Sequence, residues 1–135
     1  MATMFPVEVM TPEGAAFEGE VEMVSTRTTV GSIGIRANHQ PVMAMLNPTE
    51  LRLYVGEDQI RRFAQGEGYI QMAGNHALLL VEDAIPVDQL DLEDLNDKLA
   101  EAEARLEVAE AGTAAYERAL RDVNRWTTYR DIASS

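Results

Sequence analysis

The feature that most constrains this chain is a change of hydrophobic period at Pro86. Before it, short runs carry apolar side chains at every second residue, the period of a strand. After it, apolar residues recur at spacings of three and four, the period of a helix seam. A chain that shows the two periods in succession, not interleaved, belongs to a β + α class. The reading is an N-terminal antiparallel β-sandwich or barrel over residues 1–86 and a C-terminal two-helix hairpin over 87–135.

The first part reads as short strands separated by turns. VEVM (7–10), VEMVST (21–26), LRLYV (51–55) and GYIQM (68–72) are broken by TPEG (11–14), NP (47–48), GED (56–58) and GN (74–75). TPEG has Pro at the second turn position and Gly at the fourth, a type I signature. In LRLYV, Leu51, Leu53 and Val55 share a face opposite Arg52 and Tyr54. ALLLV (77–81) is apolar throughout, which suits a strand covered on both sides. Many short strands at close spacing favour a sandwich or a barrel.

In the second part, Leu92, Leu95, Leu99, Ala102, Leu106 and Ala109 form a seam along a first helix, about 91–110. Asp91 is the expected N-cap, with Asp94 also in the first turn. Gly112 is expected to stop this helix as its C′ residue, and Thr113 to cap a second one over about 114–131. That helix carries Tyr116, Leu120 and Val123 on one stripe and Arg118, Arg121 and Arg125 on a neighbouring face. A link of two or three residues folds the helices back antiparallel. At 1.5 Å per residue the first is roughly 30 Å long. Two such helices make a poor core alone, so the hairpin is expected to lie on the β domain or on a partner.

Charge narrows the function classes. The net charge is −12, which disfavours nucleic acid and anionic lipid surfaces as partners. Its distribution is uneven. Residues 1–90 hold 12 acids and 5 bases, residues 91–110 hold 8 acids and 2 bases, and residues 111–135 hold 3 acids and 4 bases. Cysteine is absent, so neither disulfides nor thiolate chemistry is expected. MATMFPVEVM shows no basic-then-apolar leader, and no apolar run is long enough to cross a bilayer. The expectation is a soluble protein of a reducing compartment, without direct membrane insertion.

No site for chemistry emerges. In VGSIGIRANHQPVMAML (30–46), Gly31 and Gly34 lie among β-branched residues with no following helix and no Lys-Ser/Thr pair, unlike a phosphate loop. A turn or bulge between strands accounts for them. His39 and His76, the only histidines, lack ligand-like spacing. There is no nucleophile elbow and no isolated acid pair. No catalytic residue, metal site or cofactor is expected. The arginine face of the second helix is the one binding feature. It suits an acidic partner, through guanidinium–carboxylate forks, and equally suits pairing with the acidic first helix.

The order of features resembles the epsilon subunit of the bacterial or chloroplast F-type ATP synthase. The resemblance rests on Gly31, Gly34, Ile35, His39, Pro41 and Leu46, which match that family's Gly-x-x-Gly-Ile…His-x-Pro…Leu pattern. VEMVSTRT upstream, VEVMTPEG near the start, and Gly68 with Tyr69 extend the match over nearly the whole chain. The one departure in this region is Glu67, where the family has the first glycine of a pair.

The resemblance implies a non-catalytic rotor subunit that couples proton-driven rotation of the c-subunit ring, through the gamma subunit, to ATP synthesis. It implies ring contact through a loop at Gly31, Ser32, Ile33 and Gly34, and gamma contact near His39 and Pro41. It also implies a regulatory hairpin whose Arg118, Arg121 and Arg125 approach acidic segments of the catalytic beta subunits, in the alpha/beta assembly, and inhibit ATP hydrolysis. Location on the cytoplasmic face of the bacterial plasma membrane, or the stromal face of the thylakoid, follows as a peripheral part of the complex. Some relatives bind ATP through Ile/Leu-Asp-x-x-Arg-Ala. Here Leu90 and Asp91 match, but Asp94 and Leu95 replace the arginine and alanine, so weak or absent ATP binding is expected. Two rivals remain: a freestanding protein-binding module in which the β domain supports a gripping hairpin, and a small metalloenzyme using His39 and His76.

Overall fold

A computed structural model describes residues 3–56 and 58–135. By its internal contacts the chain divides into two units, Met1–Val87 and Asp88–Ser135.

The first unit contains ten strands among the described residues: β1 (Phe5–Thr11), β2 (Gly14–Val21), β3 (Met23–Thr28), β4 (Gly31–Arg36), β5 (Val42–Leu46), β6 (Thr49–Gly56), β7 (Gln59–Gln65), β8 (Gly68–Ala73), β9 (His76–Val81) and β10 (Ala84–Pro86). They pair in the order β10-β7-β6-β3-β5-β8-β9-β1-β2, with β4 joined to β3 beside this path. The sheet curls so that β2 approaches β6, enclosing one core. Alternation supplies that core: Phe5, Val7 and Val9 from β1, Leu51 and Leu53 from β6, and Ile70 and Met72 from β8 are all buried. Each contributes about 1.5–3 kcal/mol by leaving water.

One buried polar group crosses this apolar interior. Gln65, fully buried, accepts a 2.5 Å hydrogen bond from Thr26 Oγ1 and donates from Nε2 to the carbonyls of Asn47 (3.1 Å) and Gly66 (2.9 Å). A buried amide so satisfied fixes β3, β7 and the β5–β6 link against one another, at no desolvation penalty for an orphaned group. Gly68 opens β8 because nothing larger fits: a Cβ there would collide with the Leu80 carbonyl oxygen and stand 2.7 Å from Val81 Cα.

The second unit holds α1 (Leu92–Val108) and α2 (Ala114–Ser134), packed on each other. Asp91 caps α1, its carboxylate accepting from the backbone N–H groups of Glu93 (3.0 Å) and Asp94 (3.3 Å). Thr113 caps α2 by accepting from Tyr116 N–H at 3.2 Å. Leu95, Leu99 and Ala102 of the seam are buried, while Leu92 at its start is exposed.

Several expectations change. Residues 31–34 are not a loop but the first four residues of β4, paired with β3 from Thr28↔Gly31 to Ser25↔Gly34. The turn is the preceding pair Thr29–Val30, and of the two glycines only Gly31 adopts a positive φ, +141°. Gly112 (φ +86°) does not directly follow α1. That helix ends at Val108 with extended Ala109 as its C-cap, so the link spans 109–113. Strand β9 is not covered on both sides. Ala77, Leu79 and Val81 face the core, and Leu78 and Leu80 are half-buried on the outside. One pairing in the otherwise antiparallel sheet, β1 with β9, is parallel. It joins strands separated by most of the unit.

Candidate functional site

The predicted ring and gamma contact residues lie along β4 and in the segment between β4 and β5. Thr29–Val30 forms the tip of the β3–β4 hairpin, and Val30 is 96 % exposed, an apolar side chain held in solvent. The hydroxyl of Thr28 braces this tip, donating to the Gly31 carbonyl at 2.9 Å and accepting from Val30 N–H at 3.2 Å. From the tip, Ser32 and Gly34 face outward, Ile35 is buried and Ile33 packs partly on the core. Among the described residues β4 pairs only with β3, leaving its other edge without a strand neighbour. The remaining sheet ends differ: β2 carries Glu18 and Glu20, and β10 has three residues. Charge and shortness both blunt an edge against pairing. Apart from Arg36, β4 has neither guard.

The segment 37–41 is positioned from across the unit. Asn38 takes a left-handed φ of +64°, and its N–H donates to the Asn75 side-chain oxygen at 2.7 Å. Asn75 is itself left-handed (φ +59°), at the β8–β9 turn. This bond brings the turns bearing His39 and His76 to the same end of the sheet. His39 N–H donates to the Arg36 carbonyl (3.2 Å), and His39 Nδ1 lies 2.7 Å from the Gln40 carbonyl oxygen. His76 Nε2 lies 3.6 Å from Glu8 Oε1. Among the described residues no three metal-capable side chains converge.

Downstream of Pro41, β5 presents Met43 (68 % exposed) and Met45 (61 %) on the outside while Leu46 is buried. Met45 pairs with Tyr69 of β8, which in turn pairs with Leu80 of β9. Met45, Tyr69 and Leu80 therefore form a row across three strands, with Met43 beside it. Sequence reading missed this patch. The signal was present in VMAML, which is apolar at every position; a strand with no polar face has both sides to cover. What a sequence does not show is that Tyr69 falls opposite Met45.

The hairpin arginines are not equivalent. Arg125 Nη2 bonds Asp122 Oδ1 at 2.6 Å, and Arg105 of α1 reaches Asp122 Oδ2 at 2.9 Å, so Asp122 ties the two helices. Burial raises the Asp122 pKa, but hydrogen bonds from Arg105 and Arg125 outweigh it and hold the carboxyl below its ordinary value. Arg125 also stacks over Trp126 at 4.9 Å, and Lys98 of α1 lies at the same distance from that ring. Arg118 and Arg121, in contrast, are exposed, with no ion pair among the described residues. The pairing with the first helix thus falls to Arg105, with Arg125 meeting the same carboxylate. The degenerate nucleotide motif is taken up structurally. Asp91 is a cap, Asp94 bridges Lys98 at 3.1 Å, and Leu95 is buried.

A family model described as the ATP synthase delta/epsilon chain beta-sandwich domain matches residues 4–87. The ATP synthase epsilon chain of Persephonella marina is 38 % identical over 79 % of both chains. That of Halalkalibacterium halodurans is 32 % identical over 94 % of this chain and 95 % of the relative. The fold matches a chain in the Euglena gracilis mitochondrial ATP synthase with TM-score 0.80 at 16 % identity, covering 97 % of this chain and 82 % of that one. A chain in the central stalk/c-ring structure of the Tetrahymena thermophila mitochondrial ATP synthase gives TM-score 0.62, also at 16 % identity, over 96 % of this chain and 98 % of that one. No helix among the described residues is long and apolar enough to cross a membrane. On the family match and on relatives aligned over 79 % and 94 % of its length, the chain belongs to the delta/epsilon family as an ATP synthase epsilon chain, a non-catalytic subunit of the stalk.

Proposed function

We propose that this subunit couples rotation of the c-subunit ring to the gamma subunit by presenting two distinct contacts on one stiff sheet. The observation that carries the reading is the apolar outer row of Met43, Met45 and Tyr69, continuous with the braced segment His39–Pro41. Exposed apolar surface of this kind, on a unit whose core is already complete, fits a lasting protein contact. Gamma is its partner, with His39 and Pro41 at the rim. The c-ring contact is the β3–β4 end, where Gly31, Ser32, Ile33 and Gly34 run along the open edge below exposed Val30. Torque passes between the two through the buried core and the Gln65 hydrogen bonds, which leave the strands little freedom to shear.

The division at about residue 87 separates this coupling unit from a regulatory one. In the hairpin, exposed Arg118 and Arg121 are the groups offered to acidic segments of the catalytic beta subunits. Arg125 joins them by exchanging Asp122 for a partner carboxylate. ATP is not a ligand of the hairpin, since Asp94 places a carboxylate where the nucleotide-binding pattern needs a guanidinium. The subunit works as a peripheral part of the enzyme, on the cytoplasmic or stromal side of its membrane.

The test is co-purification with gamma from the same cell, followed by assay of the reassembled enzyme. Met43→Asp with Met45→Asp is expected to abolish the gamma complex while leaving the circular dichroism of the free subunit unchanged. Removing residues 91–135 is expected to preserve that complex and raise ATP hydrolysis. Undiminished gamma binding by the double aspartate variant would move the contact elsewhere. Loss of the complex on truncation would favour a gripping hairpin supported by the β domain.

A further inference from the structure

The outer face of β4, β3, β6 and β7 differs from every other surface of the sheet. Residues 1–90 contain five basic side chains, and four of them, Arg27, Arg36, Arg52 and Arg62, project from this one face. Register puts them together. Ser25 pairs with Gly34 on one side and Arg52 on the other, and Arg52 pairs with Arg62. Arg36 pairs with Met23, which pairs with Tyr54. All four arginines are exposed. The fifth, Arg61, points elsewhere and stacks over the rings of Phe17 (5.7 Å) and Phe63 (5.6 Å). Among the described residues of these strands Glu50 is the one carboxylate.

Glu50 does not cancel the face; it organises it. Its Oε2 accepts from Arg52 Nε (2.5 Å) and Arg62 Nε (3.0 Å), and its Oε1 from Arg62 Nη2 (2.9 Å). Two guanidiniums directly opposite on neighbouring strands would otherwise repel. Clamped by one carboxylate they stay in place, each with further N–H groups directed to solvent. Arg27 and Arg36 carry no ion pair among the described residues. Four guanidiniums and one acid, on a protein of net charge −12, is a segregation that solubility alone does not require.

We infer that the outer face of β4–β3–β6–β7 is a docking surface for a carboxylate-rich polypeptide segment, separate from the apolar gamma-facing row on β5 and β8. Guanidinium forks held at fixed positions match carboxylates geometrically as well as by charge. Met23, Tyr54 and Ile60, partly or fully exposed among the arginines, supply apolar contact for a peptide between its acids. An anionic bilayer is the poorer match. It offers charge as a broad plane that would also meet the acidic remainder of the protein. The open edge of β4 borders the same face, so an extended segment can lie along it.

The experiment is a residue-resolved NMR titration of the whole chain with poly-L-glutamate, with poly-L-lysine and phosphatidylglycerol vesicles in parallel. Shifts at Arg27, Arg36, Arg52 and Arg62 that saturate with poly-L-glutamate and weaken with salt are expected. The R27Q/R36Q variant, which leaves the Glu50 clamp intact, is expected to bind at this face about tenfold more weakly. An unchanged affinity in that variant, with a preserved spectrum elsewhere, would overturn the inference. So would shifts confined to Arg118 and Arg121 of α2, or vesicle binding by the wild-type face without peptide binding.

Discussion

The β unit and the helical unit hold their shapes by different means. Among the described residues of the β unit, fifteen buried apolar side chains form one cluster crossed by ten strands, so each is fixed by neighbours far away in sequence. The helical unit has a short buried set, Leu95, Leu99 and Ala102 on α1 with Ala119 and Tyr129 on α2. Around it lie local devices: two caps, the Arg105–Asp122–Arg125 group, and Trp126, whose ring meets Lys98 and Arg125 and lies edge-on to Tyr129 at 5.6 Å. Long-range burial resists rearrangement, because any opening exposes the whole core. Local contacts travel with the helix that carries them. One small chain thus holds its two units by different means, and only the first depends throughout on contacts between residues far apart in sequence.

The sharpest way to break this contrast is to empty one position in each unit. Leu53→Ala removes a fully buried side chain from the centre of the sandwich and is expected to lower its stability by about 2–5 kcal/mol. Leu99→Ala, in a seam with fewer neighbours, is expected to lose helical signal while the β unit keeps its denaturation midpoint. Urea unfolding followed separately at strand-specific and helix-specific NMR resonances distinguishes the two. If Leu99→Ala shifts both sets together, the units unfold as one and the contrast fails.

A smaller effect tests the claim that local devices hold the hairpin. Asp91→Ala deletes the cap that receives Glu93 and Asp94 N–H, which is expected to cost about 1 kcal/mol, confined to α1. Amide exchange should accelerate through the first turns of α1 and stay constant in β6 and β8. Faster exchange in those strands would show that the cap supports more than its own helix.

Legibility in the sequence divides along the same line. The helices were readable because seam, caps and link are all local: Asp91 and Thr113 sit where their side chains predict. Boundaries failed where an early stop intervened, as at Ala109, three residues before the glycine expected to end α1. In the β unit, β6 and β8 were readable from alternation. Strands β2 and β7 were not, since GAAFEGEV is exposed on both faces along much of its length, and QIRRFAQ hides its inward Phe63 behind paired arginines. Gly34 misled because glycine in a flat strand and glycine in a turn look alike. The sequence motif around His39 was visible, but its apolar neighbour was not. Met43, Met45 and Tyr69 become a surface only through strand pairing. The arginine face is the same case, four single residues spread over Arg27–Arg62 until register gathers them.

The smallest expected effect compares two carboxylates, one from each unit, that arginines hold below their ordinary pKa. For Glu50 the leading cause is the hydrogen bond from Arg62, opposed by burial and reinforced by Arg52. For Asp122 burial acts first and upward, and the bonds from Arg105 and Arg125 overcome it. A carboxyl depressed in the folded state binds its proton more readily when unfolded, so its contribution is complete above the unfolded value. That contribution disappears as pH falls through the folded value. With ordinary values of 4.5 for Glu50 and 3.8 for Asp122, loss begins at higher pH in the sandwich than in the hairpin. Both groups remain near the surface, which limits each contribution to about 1 kcal/mol or less. Glu50→Gln and Asp122→Asn are each expected to flatten the acid limb of stability for their own unit, read by urea midpoints between neutral pH and pH 3. In Glu50→Gln the clamp on Arg52 and Arg62 is lost as well, leaving opposed guanidiniums unrelieved, so its neutral-pH stability should also fall. If Asp122→Asn changed the sandwich and Glu50→Gln the hairpin, the two units would be coupled through charge, and the contrast between long-range burial in one and local contacts in the other would not hold.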